Sequence, residues 1–291
     1  MSRPLATAIG FGAVLLWATL ALLTTATQPV PPLQLNAVCF AVGGAIGLVW
    51  IVATGALPAL RRVPPAAYAF GTAGLFGYHA LYFAALRLAA PSGAEAEAGL
   101  IAYLWPLLIV LLSGLLPGER LRAGHLLGAG IAGLGAVLIL ARGGLSAQAG
   151  ALPAYGLAAL CALTWSVYSV GSRRLGAVPT AAVAVTCLAS AALSLVLHLA
   201  LEETAWPATG AGWAALAALG AGPVGAAFFL WDVGVKRGDI QLLGTASYAA
   251  PLLSTLILVG AGVAAASGTL AVATVLIAGG AALAARAGGR R

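Results

Sequence analysis

Stretches of about twenty mostly apolar residues recur ten times along this 291-residue chain, separated by short connections that carry proline, glycine and basic residues. That recurrence limits the fold more than any other feature. A helix rises ~1.5 Å per residue, so ~20 residues cross the ~30 Å hydrocarbon core of a bilayer. The stretches run roughly over 5–24, 33–53, 66–87, 94–115, 124–141, 152–172, 180–200, 212–233, 240–260 and 268–285. Composition excludes a water-facing surface. The chain is 62% hydrophobic and 7% charged, where a soluble domain carries about 25% charge. Its mean hydropathy is +1.04. The expected fold is an all-α integral membrane protein of ten transmembrane helices, one membrane domain over 1–291. No insert is long enough for a catalytic domain outside the membrane.

Basic residues set the expected orientation. With the N-terminus in the cytoplasm, that side holds Arg3, Arg61, Arg62, Arg120, Arg122, Arg173, Arg174, Lys236, Arg237, Arg286, Arg290 and Arg291. The outside holds Arg87 and Arg142, so twelve of the 14 basic residues share one side, as the positive-inside rule requires. A missed span would switch every later loop, so ten spans with both termini cytoplasmic are expected. The N-terminal stretch reads as a first helix, not a signal peptide, because no small-residue cleavage site follows a short core. Trp50, Trp206, Trp213 and Trp231 lie near span ends, where an aromatic belt forms. Cys39, Cys161 and Cys187 all lie in apolar runs and read as small buried hydrophobes. No metal or cofactor is expected.

The chain also repeats itself. LYFAALRLAAPSGAEAEAGLIAYLWPLL (81–108) aligns with AAFFLWDVGVKRGDIQLLGTASYAAPLL (226–253) at a fixed offset of 145 residues. Phe83 meets Phe228, Gly93 meets Gly238, Tyr103 meets Tyr248, and Pro106 meets Pro251. With a small gap, LLWAT around Trp17 aligns with ALTWS around Trp165. This predicts two repeats, about 1–145 and 146–291. Five spans per repeat is an odd number, so the repeats face opposite ways across the membrane. Inverted repeats are a common plan of secondary transporters, with the substrate site near the midplane.

Pro106 and Pro251 fall inside spans four and nine. A proline removes an intrahelical hydrogen bond, and a membrane tolerates the freed backbone only where protein or a water-filled cavity satisfies it. The pair therefore reads as either two tolerated kinks or two hinges beside a cavity. His79 sits between Tyr78 and Tyr82 in span three, with Gly71 and Gly74 on the same stripe to admit a neighbouring helix. An imidazole is costly in lipid and should face the bundle interior. It reads as a substrate contact or proton-sensitive gate, or as a neutral ring bonded to a backbone carbonyl or tyrosine. Trp17, Tyr103, Trp105, Trp165, Tyr168, Ser247 and Tyr248 complete the mid-span set. Together these residues would line an aromatic chamber for apolar or aromatic side chains, or for an ammonium group held by cation–π attraction. Glu95 and Glu97 fit a helix N-terminus or a proton site at the outer mouth. Asp232 should pair with Lys236 four residues on.

Ten spans in two halves of five, each with a proline in its fourth span, resemble the EamA-like branch of the drug/metabolite transporter superfamily. The resemblance covers essentially the whole chain. YLWP (103–106), with Trp17 in span one and His79 in span three, is similar to the aromatic amino acid exporters of that branch. The resemblance implies a bacterial-type inner-membrane protein that exports amino acids, aromatic and other small neutral ones, by alternating access. It implies a central cavity lined by spans one, three, four, six, eight and nine. It assigns substrate contact to His79, Trp17, Tyr103 and Trp105, and hinges to Pro106 and Pro251. Glu95 and Glu97 are more acidic than that pattern. Export of another small metabolite or drug is the alternative. An intramembrane serine enzyme fits poorly, because Ser113, Ser247 and Ser254 lack a nucleophile motif. The expected partners are a small-molecule substrate and the bilayer, with no nucleic acid. The sequence leaves the driving force open and is compatible with a monomer.

Overall fold

The computed structural model describes residues 1–141, 149–262 and 267–288, and every regular element among them is helical. The first half holds α1 (Arg3–Trp17), α2 (Leu20–Ala26), α3 (Pro32–Ala53), α4 (Leu57–Leu60), α5 (Pro65–Ala89), α6 (Glu95–Ala102), α7 (Trp105–Ser113) and α8 (Ala123–Leu140). The second holds α9 (Leu152–Arg174), α10 (Ala182–Leu201), α11 (Gly210–Ala221), α12 (Ala227–Arg237), α13 (Ile240–Ala246), α14 (Ala249–Gly260) and α15 (Gly268–Gly288). A π turn over Gly222–Ala226 joins α11 to α12. Arg142, Arg290 and Arg291 lie outside the described residues.

Local chemistry sets many helix starts. Ser2 accepts from the Leu5 N–H and Asp239 from the Leu242 N–H, capping α1 and α13. Prolines occupy the first turns of α3, α5, α7 and α9, where a missing N–H costs nothing. Glu95 and Glu97 stand in the first turn of α6, where the helix dipole favours negative charge.

Seven helical segments are by themselves long and apolar enough to cross a bilayer: Arg3–Ala26, Pro32–Ala53, Leu152–Arg174, Ala182–Leu201, Gly210–Arg237, Ile240–Gly260 and Gly268–Ala287. Glu97–Ser113 and Ala123–Leu138 are apolar but shorter. Helix α5 is 25 residues long and lies outside the seven; it carries Tyr68, Tyr78, His79, Tyr82 and Arg87 in place of aliphatic residues. Seven of the ten apolar stretches of the sequence are thus self-sufficient spans among the described residues, and the other three correspond to α5 and the two shorter apolar helices.

The two halves interlock. The most extensive contacts pair α8 with α15, α3 with α10, α5 with α9, and α1 with α12. Small residues allow the closest approaches. A Cβ on Gly10 would lie 2.7 Å from the Gly234 Cα, so α1 and α12 touch through backbone. As their stripe predicts, Gly71 faces Thr186 of α10, and Gly74 faces the Tyr168 ring of α9.

The expected ion pair forms, with Lys236 Nζ 2.8 Å from Asp232 Oδ1 and both side chains buried. One tryptophan is elsewhere than expected. Trp50, Trp206 and Trp213 are exposed, as belt residues should be, but Trp231 is fully buried. The reason is helix length. The apolar stretch ends near residue 233, but α12 continues to Arg237 and draws Trp231 more than a turn inside its end.

Candidate functional site

Three helices are interrupted in the bundle interior, and an aromatic residue stands at each interruption. Trp17 is the last residue of α1, before a turn at Ala18–Thr19. Tyr103 ends α6, two residues before α7 begins at Trp105. Tyr248 opens α14, after α13 ends at Ala246. Pro106 and Pro251 each follow a break by a few residues. Their missing N–H groups would have bonded the carbonyls of Ala102 and Ser247, where the helices stop.

Aromatic side chains take up some of the freed backbone. The Trp17 indole N–H donates to the Pro223 carbonyl in the π turn at 3.1 Å. The Tyr103 hydroxyl donates to the Ser247 carbonyl at 3.1 Å. At the first break, Thr19 Oγ1 donates to the Leu16 carbonyl at 2.7 Å. The Trp17 and Tyr103 bonds cross between the halves and hold the interrupted segments in register, and the Thr19 bond closes the break in α1 locally.

Around them the rings form one continuous cluster. Trp17 lies 6.1 Å from Trp105 and 5.7 Å from Trp165, both edge-on. Tyr78 lies 5.4 Å from Trp165 and stacks on Tyr82 at 6.2 Å. Tyr103 lies 5.8 Å from Trp105 and 6.2 Å from Tyr248. Of the site residues named from sequence, eight rings and the imidazole of His79 thus join by direct neighbours. Tyr168 stands at the edge, 5.3 Å from Trp165, and turns toward Phe70 and Gly74. Ser247 contributes its carbonyl; its hydroxyl donates to Leu243 O of its own helix at 2.7 Å.

His79 Nδ1 lies 2.7 Å from the Leu75 carbonyl. A carbonyl only accepts, so the proton sits on Nδ1 and the lone pair of a neutral ring sits on Nε2. Nε2 has no partner among the described residues, and the ring is only partly buried. Phe40 at 5.1 Å, Tyr78 at 5.2 Å and Phe228 at 6.0 Å surround it. The hydroxyls of Tyr78 and Tyr82 and the indole N–H groups of Trp105 and Trp165 likewise have no partner there. The cluster therefore presents several donors, the His79 Nε2 acceptor and two hydroxyls that both donate and accept, among aromatic faces and without a formal charge of its own.

Sequence reasoning missed three members. Phe40 comes from α3, a span not expected to contribute, and stacks on Phe228 at 5.4 Å. Trp231 lies 5.1 Å from Trp17, and its indole donates to Ser169 Oγ at 3.0 Å. Phe228 and Trp231 are three residues apart and share one helix face, a signal visible in the sequence. Nothing local marks Phe40. Among the described residues, no three His, Cys, Asp or Glu side chains converge as metal ligands would.

Comparison with known proteins places this architecture. Residues 5–141 and again 152–286 match the EamA-like transporter family. The aromatic amino acid exporter YddG of Ancylobacter novellus is 55% identical over 286 residues, 98% of each chain. The protein of that name from Salmonella typhimurium is 26% identical over 265 residues, 88% of each chain. A solved crystal structure superposes with a TM-score of 0.92 at 54% identity, covering 100% of both chains. With nearly its whole length matched in two segments, the chain belongs to the EamA-like transporter family.

Proposed function

We propose that this protein is a secondary transporter that exports amino acids, aromatic and other small neutral ones, through the central aromatic cluster. The observation that carries this reading is the cluster's chemistry: a half-buried imidazole with an open Nε2 acceptor, ringed by aromatic faces and unpaired hydroxyl and indole donors. An amino acid zwitterion has no net charge, one cationic donor and one anionic acceptor. His79 Nε2 accepts from the ammonium, whose charge also faces the rings of Trp17 and Trp165. Tyr78, Tyr82 and Trp105 donate toward the carboxylate, and Tyr103 and Tyr248 bound the space for the side chain. The name of the Ancylobacter novellus relative, at 55% identity, supports the substrate class.

Ten spans in two inverted repeats, about 1–145 and 146–291, are the topology of this reading. The helix pairs support it. Exchanging spans one to five with six to ten leaves the pairs α3–α10 and α8–α15 unchanged and turns α5–α9 into α12–α1. That is the behaviour of a two-fold relation between halves. The interrupted helices beside Pro106 and Pro251 bend as the site faces one side and then the other. Both termini lie in the cytoplasm and the bilayer is the bacterial inner membrane, with one chain sufficient for a path. No covalent chemistry is assigned to the site.

The test is uptake of radiolabelled phenylalanine into proteoliposomes, with each other amino acid in excess as competitor. Saturable uptake that a subset competes supports the reading. Uptake equal to that of empty liposomes and of the His79→Ala protein would overturn it and point to a different small metabolite.

A further inference from the structure

At one end of the bundle four charged residues from four separate segments meet. Glu119, in the connection between α7 and α8, is buried, with its side chain 4% exposed. Its Oε1 accepts from Arg173 Nη2 at 2.7 Å and from Arg3 Nη2 at 3.3 Å. Arg3, the first residue of α1, reaches on to Asp239 Oδ2 at 3.1 Å in the connection between α12 and α13. Arg173, at the end of α9, also donates to the carbonyls of Val235 and Gly238 at 3.0 and 2.8 Å, where the dipole of α12 favours a cation. The Asp239 N–H donates to Thr7 Oγ1 at 2.8 Å, returning the network to α1.

Behind this network the path is packed shut. Leu116, Val170, Val235, Ile240 and Leu243 are buried in the same apolar cluster as Trp105, Trp165 and Trp231. The segments tied together belong to the helices that surround the aromatic site, so this end cannot open while the ion pairs stand.

At the opposite end, among the described residues, the buried carboxylate Glu202 bonds His198 one turn away on its own helix and caps α3, and the repeat counterparts of Asp239, Arg173 and Arg3 carry no charge. At the repeat offset of 145, Asp239 corresponds to Ala94. At the offset of 148 that aligns Trp17 with Trp165, Arg173 corresponds to Thr25 and Arg3 to Ala151. The position matching Glu119, 264, lies outside the described residues. A two-fold fold that carries ionic ties at one mouth and small uncharged residues at their counterparts is biased toward keeping the tied mouth closed.

We propose that Glu119 is the latch of the cytoplasmic mouth. By holding Arg3 and Arg173 together it positions α1, α9 and α12 in the arrangement that closes the cytoplasmic mouth, and breaking these pairs is the step that exposes the site to cytoplasmic substrate. The proposal rests on the transport reading above for its orientation and purpose. Glu119 touches no substrate and acts as a positioning residue.

The test uses full-length protein in which Cys39, Cys161 and Cys187 are alanine, with one reporter cysteine at a time. Leu116→Cys reports the latched mouth and Phe83→Cys the opposite one. Each is labelled in proteoliposomes by a membrane-impermeant maleimide applied from its own side. Glu119→Gln should raise Leu116→Cys labelling about tenfold and lower Phe83→Cys labelling. Glu119→Asp should stay within about twofold of the parent. Arg3→Gln, at a side chain 32% exposed, provides the same readout if Glu119→Gln does not elute as a single folded species, with a smaller rise. A rise at both reporters would mean general loosening and overturn the latch, as would unchanged labelling in a folded variant. Failure of the parent to take up phenylalanine would remove the amino acid reading, while opposite shifts at the two reporters would still support the latch.

Discussion

The hydroxyl of Tyr103 donates to the carbonyl of Ser247 at 3.1 Å, so a side chain of the first half satisfies a backbone group of the second. Pro251, four residues on, has no N–H to offer that carbonyl. The Ala250 N–H, at 3.0 Å, is its other donor. The bond joins two interrupted helices at matching points of the repeat. Tyr103→Phe removes one donor and keeps the ring. It should cost about 1 kcal/mol and lower the Tm by about 2–4 °C, measured by thermal unfolding in detergent.

His79→Ala should abolish phenylalanine transport and leave the detergent-extracted protein folded, because its one protein bond is to the Leu75 carbonyl of its own helix. His79→Gln, which retains an acceptor, should keep part of the binding. Loss of an acceptor for a charged donor corresponds to about 1.5–3 kcal/mol, or roughly 10–150-fold in affinity. Wild-type transport by His79→Ala would make the ring structural.

Pro106→Ala and Pro251→Ala restore an N–H to each interrupted helix. Each change should straighten its helix, leave stability equal or higher, and slow turnover about tenfold with a smaller change in apparent substrate affinity. Turnover and half-saturation in proteoliposomes separate the two effects. Unaltered turnover in both variants would remove the hinge role.

Gly74→Ala places a methyl group against the Tyr168 ring, which sits directly over the glycine. Over-packing of this kind costs about 1–3 kcal/mol and forces α5 from α9. Because α5 also carries Tyr78, His79 and Tyr82, transport should fall along with the Tm. Gly99→Ala, whose Cβ would meet nothing within 4 Å, is the control and should change neither.

Lys236→Met leaves Asp232 buried without its cation at 2.8 Å. The expected destabilisation is about 3–5 kcal/mol. Asp232→Leu combined with Lys236→Met removes both charges and should be markedly milder than Lys236→Met alone. Equal unfolding temperatures for the single and double variants would show that the pair carries little weight.

Periodic, local features determined most of what the sequence could say by itself. Apolar stretches of span length, the sidedness of arginines and the 145-residue offset indicate a helical membrane protein in two halves, because a bilayer admits few solutions to backbone hydrogen bonding. Asp232 and Lys236 were legible as a pair because four residues is one helical turn. Trp17, Tyr78, His79, Tyr82, Tyr103, Trp105, Trp165 and Tyr248 stood out because polar-tipped rings are conspicuous among aliphatic residues. Tertiary structure decided what depends on contact between distant segments. Phe40 enters the cluster because α3 leans on the π turn before α12, and nothing in its neighbours marks it. Trp231 moved from an expected surface belt to full burial because α12 continues beyond the apolar stretch. Glu119 meets Arg173 across 54 residues and Arg3 across 116. A charge in a connection reads as solvated from sequence, and only the packing of four helix ends makes it the buried centre of a network.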